Sequence, residues 1–482
     1  MPSSQCLSHT SRRHFLKSAL SAAVLGPLAA CEHLGLDKEA EPLFDGPAIA
    51  EGDFISFNAG YYGIGVDTAS QLPYSFIRDG IAARESDPVS IAFRLQHLLA
   101  DSRHAGAVDT LMSHLLAAQT DEPPPNNFRN MIPRLAVGPD GISPADKDYS
   151  FGDNALLASR VAMAAQAHAG TAAGDKALEF LDKQKFYFNQ VLAQSPSGFL
   201  PEFANASLFG VDPTGLNMLF CGFYDAIAFV LGYFIGDTPV IDDSQVGLNT
   251  WQAMIDAQNT YTDRHSATTR AQTSIPASLA RNGSGYQYFH SLLALDPSWL
   301  DESLENALYN ALYSYLDAAV YDRIPGIYSA GPHESGYYVD NGLNRLAAKQ
   351  RYQTSREAIV TADALASALR LFPEESDARL ILRGWIGLYA TVAGVITPQG
   401  YLSGIRKEGE PVTAIYARQN GAMILFKSNG ARLLDAFMQA KGKPPMRDLI
   451  GMVKLLHDGA PIERVTAQLP IPIQPERLFT RL

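Results

Sequence analysis

Cysteine is scarce in this chain of 482 residues, where Cys6, Cys31 and Cys221 are the whole complement. Three thiols, two of them near the N-terminus, cannot build a disulfide framework, so the fold has to be held by burial. Charge is thin as well: 18% of residues are charged and the formal net charge is −12. Without a basic field there is nothing to hold a phosphate backbone, which excludes nucleic acid as a partner. No glycine-rich phosphate loop, Gly-x-Ser-x-Gly elbow or Walker motif occurs. His9, His14 and His33 lie at the N-terminus, while His97, His104 and His114 are scattered over predicted helices without partners at ligand spacing. Neither a metal nor a cofactor is expected. The apolar run from Ala19 to Ala30 is too short to cross a bilayer.

That run belongs to a targeting segment. Ser11-Arg-Arg-His-Phe-Leu-Lys17 resembles the twin-arginine export motif at every defined position. Leu28-Ala-Ala-Cys31 resembles a lipoprotein processing box, in which small residues precede the cysteine whose thiol receives the lipid. The reading is a signal peptide over residues 1–30, a lipidated Cys31 with a tether over 31–50, and a single domain over 51–482. Export with the chain already folded agrees with the lack of disulfides. Glu32 after the cysteine, rather than Asp, implies the outer membrane, with the protein on the periplasmic side. Cys221 lies in an apolar helix expected from Leu219 to Phe234 and reads as a packed core residue.

The composition is 46% hydrophobic and 10% aromatic, enough for a large core. Helical periodicity begins between Asp87 and Gln119, and Phe128–Ile142 reads as an irregular approach to Tyr149. Helices are expected over Asp153–Ala169, Ala173–Ala193, Asn217–Ile235, Gln245–Thr262, Glu302–Tyr321, Arg356–Phe372, Asp377–Ile396, Ile415–Phe437 and Arg447–His457. Glycine-aromatic loops follow Gln194, Asp322 and Thr397. The fullest of these stretches is Tyr328 to Arg406, where a loop bearing His333, Glu334, Tyr337 and Tyr338 leads into two amphipathic helices and a second loop containing Tyr401. Serial helices with such loops suit an all-α fold, an (α/α)6 toroid with the loops shaping a cavity at one rim. A helical bundle or solenoid has the same periodicity.

Five segments, in order, then carry a resemblance. Ala280-Arg-Asn-Gly-Ser-Gly-Tyr-Gln-Tyr-Phe-His-Ser-Leu-Leu293, Tyr328-Ser-Ala-Gly331 to Gly336-Tyr-Tyr338, Ile359-Val-Thr-Ala-Asp363 to Phe372-Pro-Glu-Glu-Ser376, Gly400-Tyr-Leu-Ser-Gly404 and Tyr416 to Gly430 resemble segments of the bacterial glucoamylase-like family, to which endo-β-1,2-glucanases are related. The resemblance covers roughly Phe128 to Leu434. It implies an α/α toroid with its cleft at one rim, an oligo- or polysaccharide partner, and hydrolysis by carboxylates acting as acid and base.

The acids are partly replaced. Gln287 stands where the family carries Glu, and Gln419-Asn420 where it carries Asp-Gln; Asp212 is the nearest acid in a third segment. Amides keep hydrogen bonds to sugar hydroxyls but cannot deliver or take a proton. The remaining candidates are Asp153, which opens its predicted helix and reads either as catalytic acid or base or as an N-cap, Glu334 beside His333, and Glu202 in Gly198-Phe-Leu-Pro-Glu-Phe203. Tyr328, Tyr337, Tyr338 and Tyr401 suit stacking on sugar rings or buried packing. Three functions follow: a glycoside hydrolase, a non-catalytic glycan binder, and, on Tyr337 with His333, a polysaccharide lyase.

Overall fold

The structure is a computed structural model that describes residues 65–78, 81–119, 131–139, 141–145, 148–194, 203–205, 326–329, 331–332, 338–339, 359–392, 396–397, 400–402, 404–406, 414–416 and 430–443, together with the single residues 285, 289, 312, 315 and 445. Among the described residues it is mostly helical. The helices are α1 (Pro88–Leu99), α2 (Ala105–Ala118), α3 (Phe151–Ala167), α4 (Ala172–Gln194), α5 (Ala362–Leu371), α6 (Asp377–Thr391) and α7 (Gly430–Ala440). Expected helices over 217–235, 245–262 and 447–457, and nearly all of 302–321, lie outside the described residues, as does Cys221.

Burial divides these helices into two kinds. In α2 the buried side chains are Val108, Leu111, Met112 and Leu115, one stripe at spacings of three and four, as on a helix with one face to solvent. In α3 every residue from Leu156 to Ala165 is buried, and α5 is buried from Ala362 to Leu369. A helix covered on all sides is an inner helix. Helix α1, buried from Pro88 to Gln96, is a third. Leu95, Leu157 and Leu365, none of them exposed at all, each contribute on the order of 1.5–3 kcal/mol by leaving water.

Helix α3 is the hub, packing against α1, α4 and α7. Arg160, 1% exposed, ties it to α1: its Nε donates to Gln96 Oε1 at 2.9 Å, a terminal nitrogen donates to Ser159 Oγ at 2.7 Å, and the guanidinium lies 5.9 Å from the Phe93 ring centre. A buried cation is tolerated when polar groups and a π face take over from its water.

Short antiparallel pairs frame the helix ends. They are β1 (Phe76–Arg78), β2 (Ile81–Ala82), β3 (Glu85–Ser86), β4 (Leu135–Gly138), β5 (Gly141–Pro144), β6 (Asp148–Ser150), β7 (Phe203–Asn205), β8 (Gly331–Pro332), β9 (Tyr338–Val339), β10 (Ile359–Thr361), β11 (Ile396–Thr397), β12 (Gly400–Tyr401), β13 (Gly404–Arg406) and β14 (Ala414–Tyr416). The three inner helices each begin just after a strand: α1 after β3, α3 after β6 and α5 after β10. Strand β14 pairs with β1, Ile415 opposite Ile77, so a late segment returns to the start of the domain.

Four expectations are corrected. The helix expected from Arg356 begins only at Ala362, because Ile359-Val-Thr361 is a β-branched run that pairs with Gly404–Arg406. The helix expected over 415–437 is strand β14 at its start, through Tyr416, and helix α7 from Gly430, and residues 417–429 lie outside the described residues. The expected 377–396 helix stops at Thr391 and is followed by strand β11. The approach segment 128–142 contains a hairpin, β4 with β5, in which Gly138 faces Gly141. Gly141 has φ +115°, a conformation open to glycine, and Gly138-Pro-Asp-Gly141 is a turn sequence that announces it.

Candidate functional site

Helix α3 begins at Phe151, so Asp153 sits within its first turn and not at the cap. The capping reading is therefore replaced: a side chain two residues inside the helix is placed on the helix surface, here half-buried. The positive end of the helix favours a negative charge at this position. Its neighbour Asn154, 1% exposed, accepts from the Ile132 N–H at 2.9 Å and donates to the Ile132 carbonyl at 3.0 Å. One side-chain amide thus mimics a strand partner and clamps the 131–132 segment against the base of α3. Sequence alone does not single out Asn154, since an asparagine in the first turn of a helix carries no signal of its distant partner.

Strand β6, which leads into α3, pairs with β7, Ser150 opposite Phe203. The chain directly after Glu202 is therefore held beside the chain that delivers Asp153. Glu202 itself lies outside the described residues, as do Glu334, His333, Tyr337, Gln287, Gln419, Asn420, Asp212 and Cys31. Pro332 pairs with Tyr338, which closes the base of the hairpin whose connection contains Glu334. Tyr401 pairs with Ile396, and the Tyr389 hydroxyl of α6 donates to the Leu402 carbonyl at 2.6 Å, anchoring that second hairpin.

Tyr328 goes elsewhere. It is 4% exposed, and its ring meets Tyr315 edge-on, 6.2 Å between centres; Tyr315 in turn meets Phe289, and Phe289 meets Phe372. That is core packing and not a face open to a sugar. Its carbonyl accepts from the Gly285 N–H at 2.7 Å, and a Cβ at Gly285 would lie 2.3 Å from Ile327 Cγ2. The glycines of the 283–285 segment therefore include one that allows close approach to the 327–328 strand.

Asp363, in the first turn of α5, is fully buried, and was missed because it is embedded in an apolar helix start. No group of three or more His, Cys, Asp or Glu side chains placed to hold a metal occurs among the described residues. The titratable group that departs most usefully is His97 on α1, pushed from its ordinary 6.5 down to about 4, first by burial and then by the charges of Arg94 and His104. The folded state holds this imidazole neutral, so its contribution is whole above pH 6.5 and is lost as pH falls through about 4. After a discount for its partial exposure, about 2 kcal/mol is expected to disappear over that window. Urea unfolding across this range should show the drop, and His97→Gln should flatten it; an unchanged drop in the variant would place its origin elsewhere.

No family profile matches the chain, and no curated protein matches it in sequence. Solved structures do. A point mutant of the endo-β-1,2-glucanase from Talaromyces funiculosus, in complex with β-1,2-glucan, superposes with a TM-score of 0.64 at 13% identity, over 87% of this chain and 90% of that one. A proposed glucoamylase from Bacteroides caccae gives 0.58 at 13% identity over 84% and 97%. The endo-β-1,2-glucanase from Chitinophaga pinensis, with sophorotriose and glucose, gives 0.56 at 12% identity over 84% and 98%. This chain is thus built on the fold that these endo-β-1,2-glucanases share.

Proposed function

We propose that the protein is a glycoside hydrolase acting on a β-glucan, with β-1,2-linked chains as the first substrate to try. The observation that carries this reading is the fold likeness to endo-β-1,2-glucanases over more than four-fifths of the chain. The inner helices, the strands at their N-terminal ends and the β1–β14 pairing agree with an (α/α)6 toroid whose rim holds the cleft. Asp153 is the first candidate for catalytic acid or water-activating base, with Glu334 and Glu202 as the other carboxylates; Tyr337, Tyr338, Tyr401, Gln287, Gln419 and Asn420 are assigned to sugar contact. Export by the twin-arginine route and anchoring through a lipid on Cys31 complete the proposal. No described helix is long and apolar enough to cross a membrane, and the lipid would supply attachment.

The test is incubation of the purified protein with α- and β-linked glucans and uronic-acid polymers, read by product chromatography. Saturated glucose oligomers are expected, from β-1,2-glucan first. Unsaturated products would replace the hydrolase with a lyase. A second reading, a glycan binder without turnover, is favoured by the amides Gln287 and Gln419. It predicts no products but a higher melting temperature with glucan.

A further inference from the structure

Asp153 stands on a turn that its own residues hold poorly. Helix α3 opens with Phe151-Gly-Asp-Asn154, and glycine, aspartate and asparagine are among the weaker helix formers. The N–H groups of a first turn have no partner inside the helix, so such a turn frays unless something outside ties it down. Asn154 supplies that tie. Its amide, 1% exposed, accepts from the Ile132 N–H at 2.9 Å and donates to the Ile132 carbonyl at 3.0 Å. Ile132 is 0% exposed and Met131 1%, so the other end of the tie is itself fixed in the core. Two hydrogen bonds from one planar amide set direction as well as distance, because each favours a nearly straight N–H···O angle.

The β6–β7 pair secures the chain just before this turn, since β6 runs into α3 at Ser150 and Ser150 lies opposite Phe203. The amide of Asn154 is buried and occupied by Ile132, so any part it plays in a reaction is exercised through its neighbour. With Asn154 pinned, the first turn can neither unwind nor rotate about the helix axis, and the backbone that carries Asp153 is set. A carboxylate that gives or takes a proton has to stand within hydrogen-bond reach of the reacting atom. A displacement of about 1 Å can slow the chemical step about a hundredfold.

Resting on the reading of Asp153 as acid or base, we propose that Asn154 is the positioning residue for that carboxylate. Asn154→Ala is expected to lower kcat on β-1,2-glucan about ten- to a hundredfold, with KM within about twofold of the parent. It should also melt lower, since the buried Ile132 peptide loses both bonds. The deciding readout is the same substitution in an Asp153→Asn background. There it should slow the residual rate no further, because no proton-transfer group is left to misplace. An equal loss in both backgrounds, or a parental kcat in Asn154→Ala, would overturn the proposal. Asn154→Asp covers the case in which the alanine variant does not fold. Its carboxyl accepts from the Ile132 N–H but donates to the Ile132 carbonyl only when protonated, so its kcat relative to the parent should rise as pH falls. A ratio that does not move with pH would overturn the positioning role. A fully active Asp153→Asn, with Asn154 intact, would instead remove the reading of Asp153 itself, and the proposal with it.

Discussion

Replacing Asp153 by Asn is expected to slow glucan cleavage by about a hundred- to ten-thousandfold, while the variant still binds the oligosaccharide and melts close to the parent. The substitution keeps shape and hydrogen-bonding oxygen but removes the ability to take or give a proton. Its effect on folding is small because Asp153 is half-buried in a first turn, where the lost charge is worth about 0.3–1 kcal/mol against the helix dipole. The clamp beneath it belongs to Asn154, which the variant leaves intact. Initial rates on β-1,2-glucan and a parallel titration check both halves. Full activity in Asp153→Asn with a matching loss in Glu334→Gln would transfer the role to Glu334, and full activity in both would leave Glu202 as the carboxylate to test.

Gly326→Ala is expected to destabilise the protein by about 3 kcal/mol or more. Two independent penalties meet at this residue. Its φ of +145° lies in a region that residues with a side chain rarely adopt, and a Cβ there would fall 2.3 Å from Val360 Cγ1 and 3.2 Å from Cγ2. Val360 cannot turn away cheaply: it is β-branched, 2% exposed, and held in strand β10 between Tyr328 and Ile405. Since whole domains are stable by only about 5–15 kcal/mol, such a loss would be evident as a lower urea midpoint. Gly387→Ala is the control. It sits in helix α6 with nothing within 4 Å of an added Cβ, and alanine there should stabilise by about 0.5–1 kcal/mol. Equal midpoints for the two variants would show that segment 326–329 does not lie against β10 as described.

Much of the helical framework can be read without coordinates, for local reasons. Helices α3 and α4 begin and end within two residues of the expected 153–169 and 173–193. Asp87 before Pro88 and Ser376 before Asp377 are capping sequences, and both side chains accept first-turn N–H groups. The carboxylate at 153 was recognisable as a candidate too, though its place inside the first turn was not. What local sequence misses are the strands. Ile359-Val-Thr361 and Ile415-Tyr416 fall within the helices expected over 356–372 and 415–437, because their apolar residues continue a helical spacing.

Their partners lie far away in the chain. Strand β10 is extended because Gly404–Arg406 and Tyr328 lie alongside it, and β14 because Phe76–Arg78 does. Extended structure is completed by hydrogen bonds to another segment, so its stability depends on residues that no local window contains. Burial follows the same rule. Tyr328 looked suited to a sugar and is packed on Tyr315, while Ser329 and Thr361 looked ordinary and are enclosed without partners. The sequence by itself determined where α3 and α4 run, because a helix closes its own hydrogen bonds within four residues. Only the tertiary structure decided which side chains share a face or a core, because those relations are set by contacts between segments tens to hundreds of residues apart.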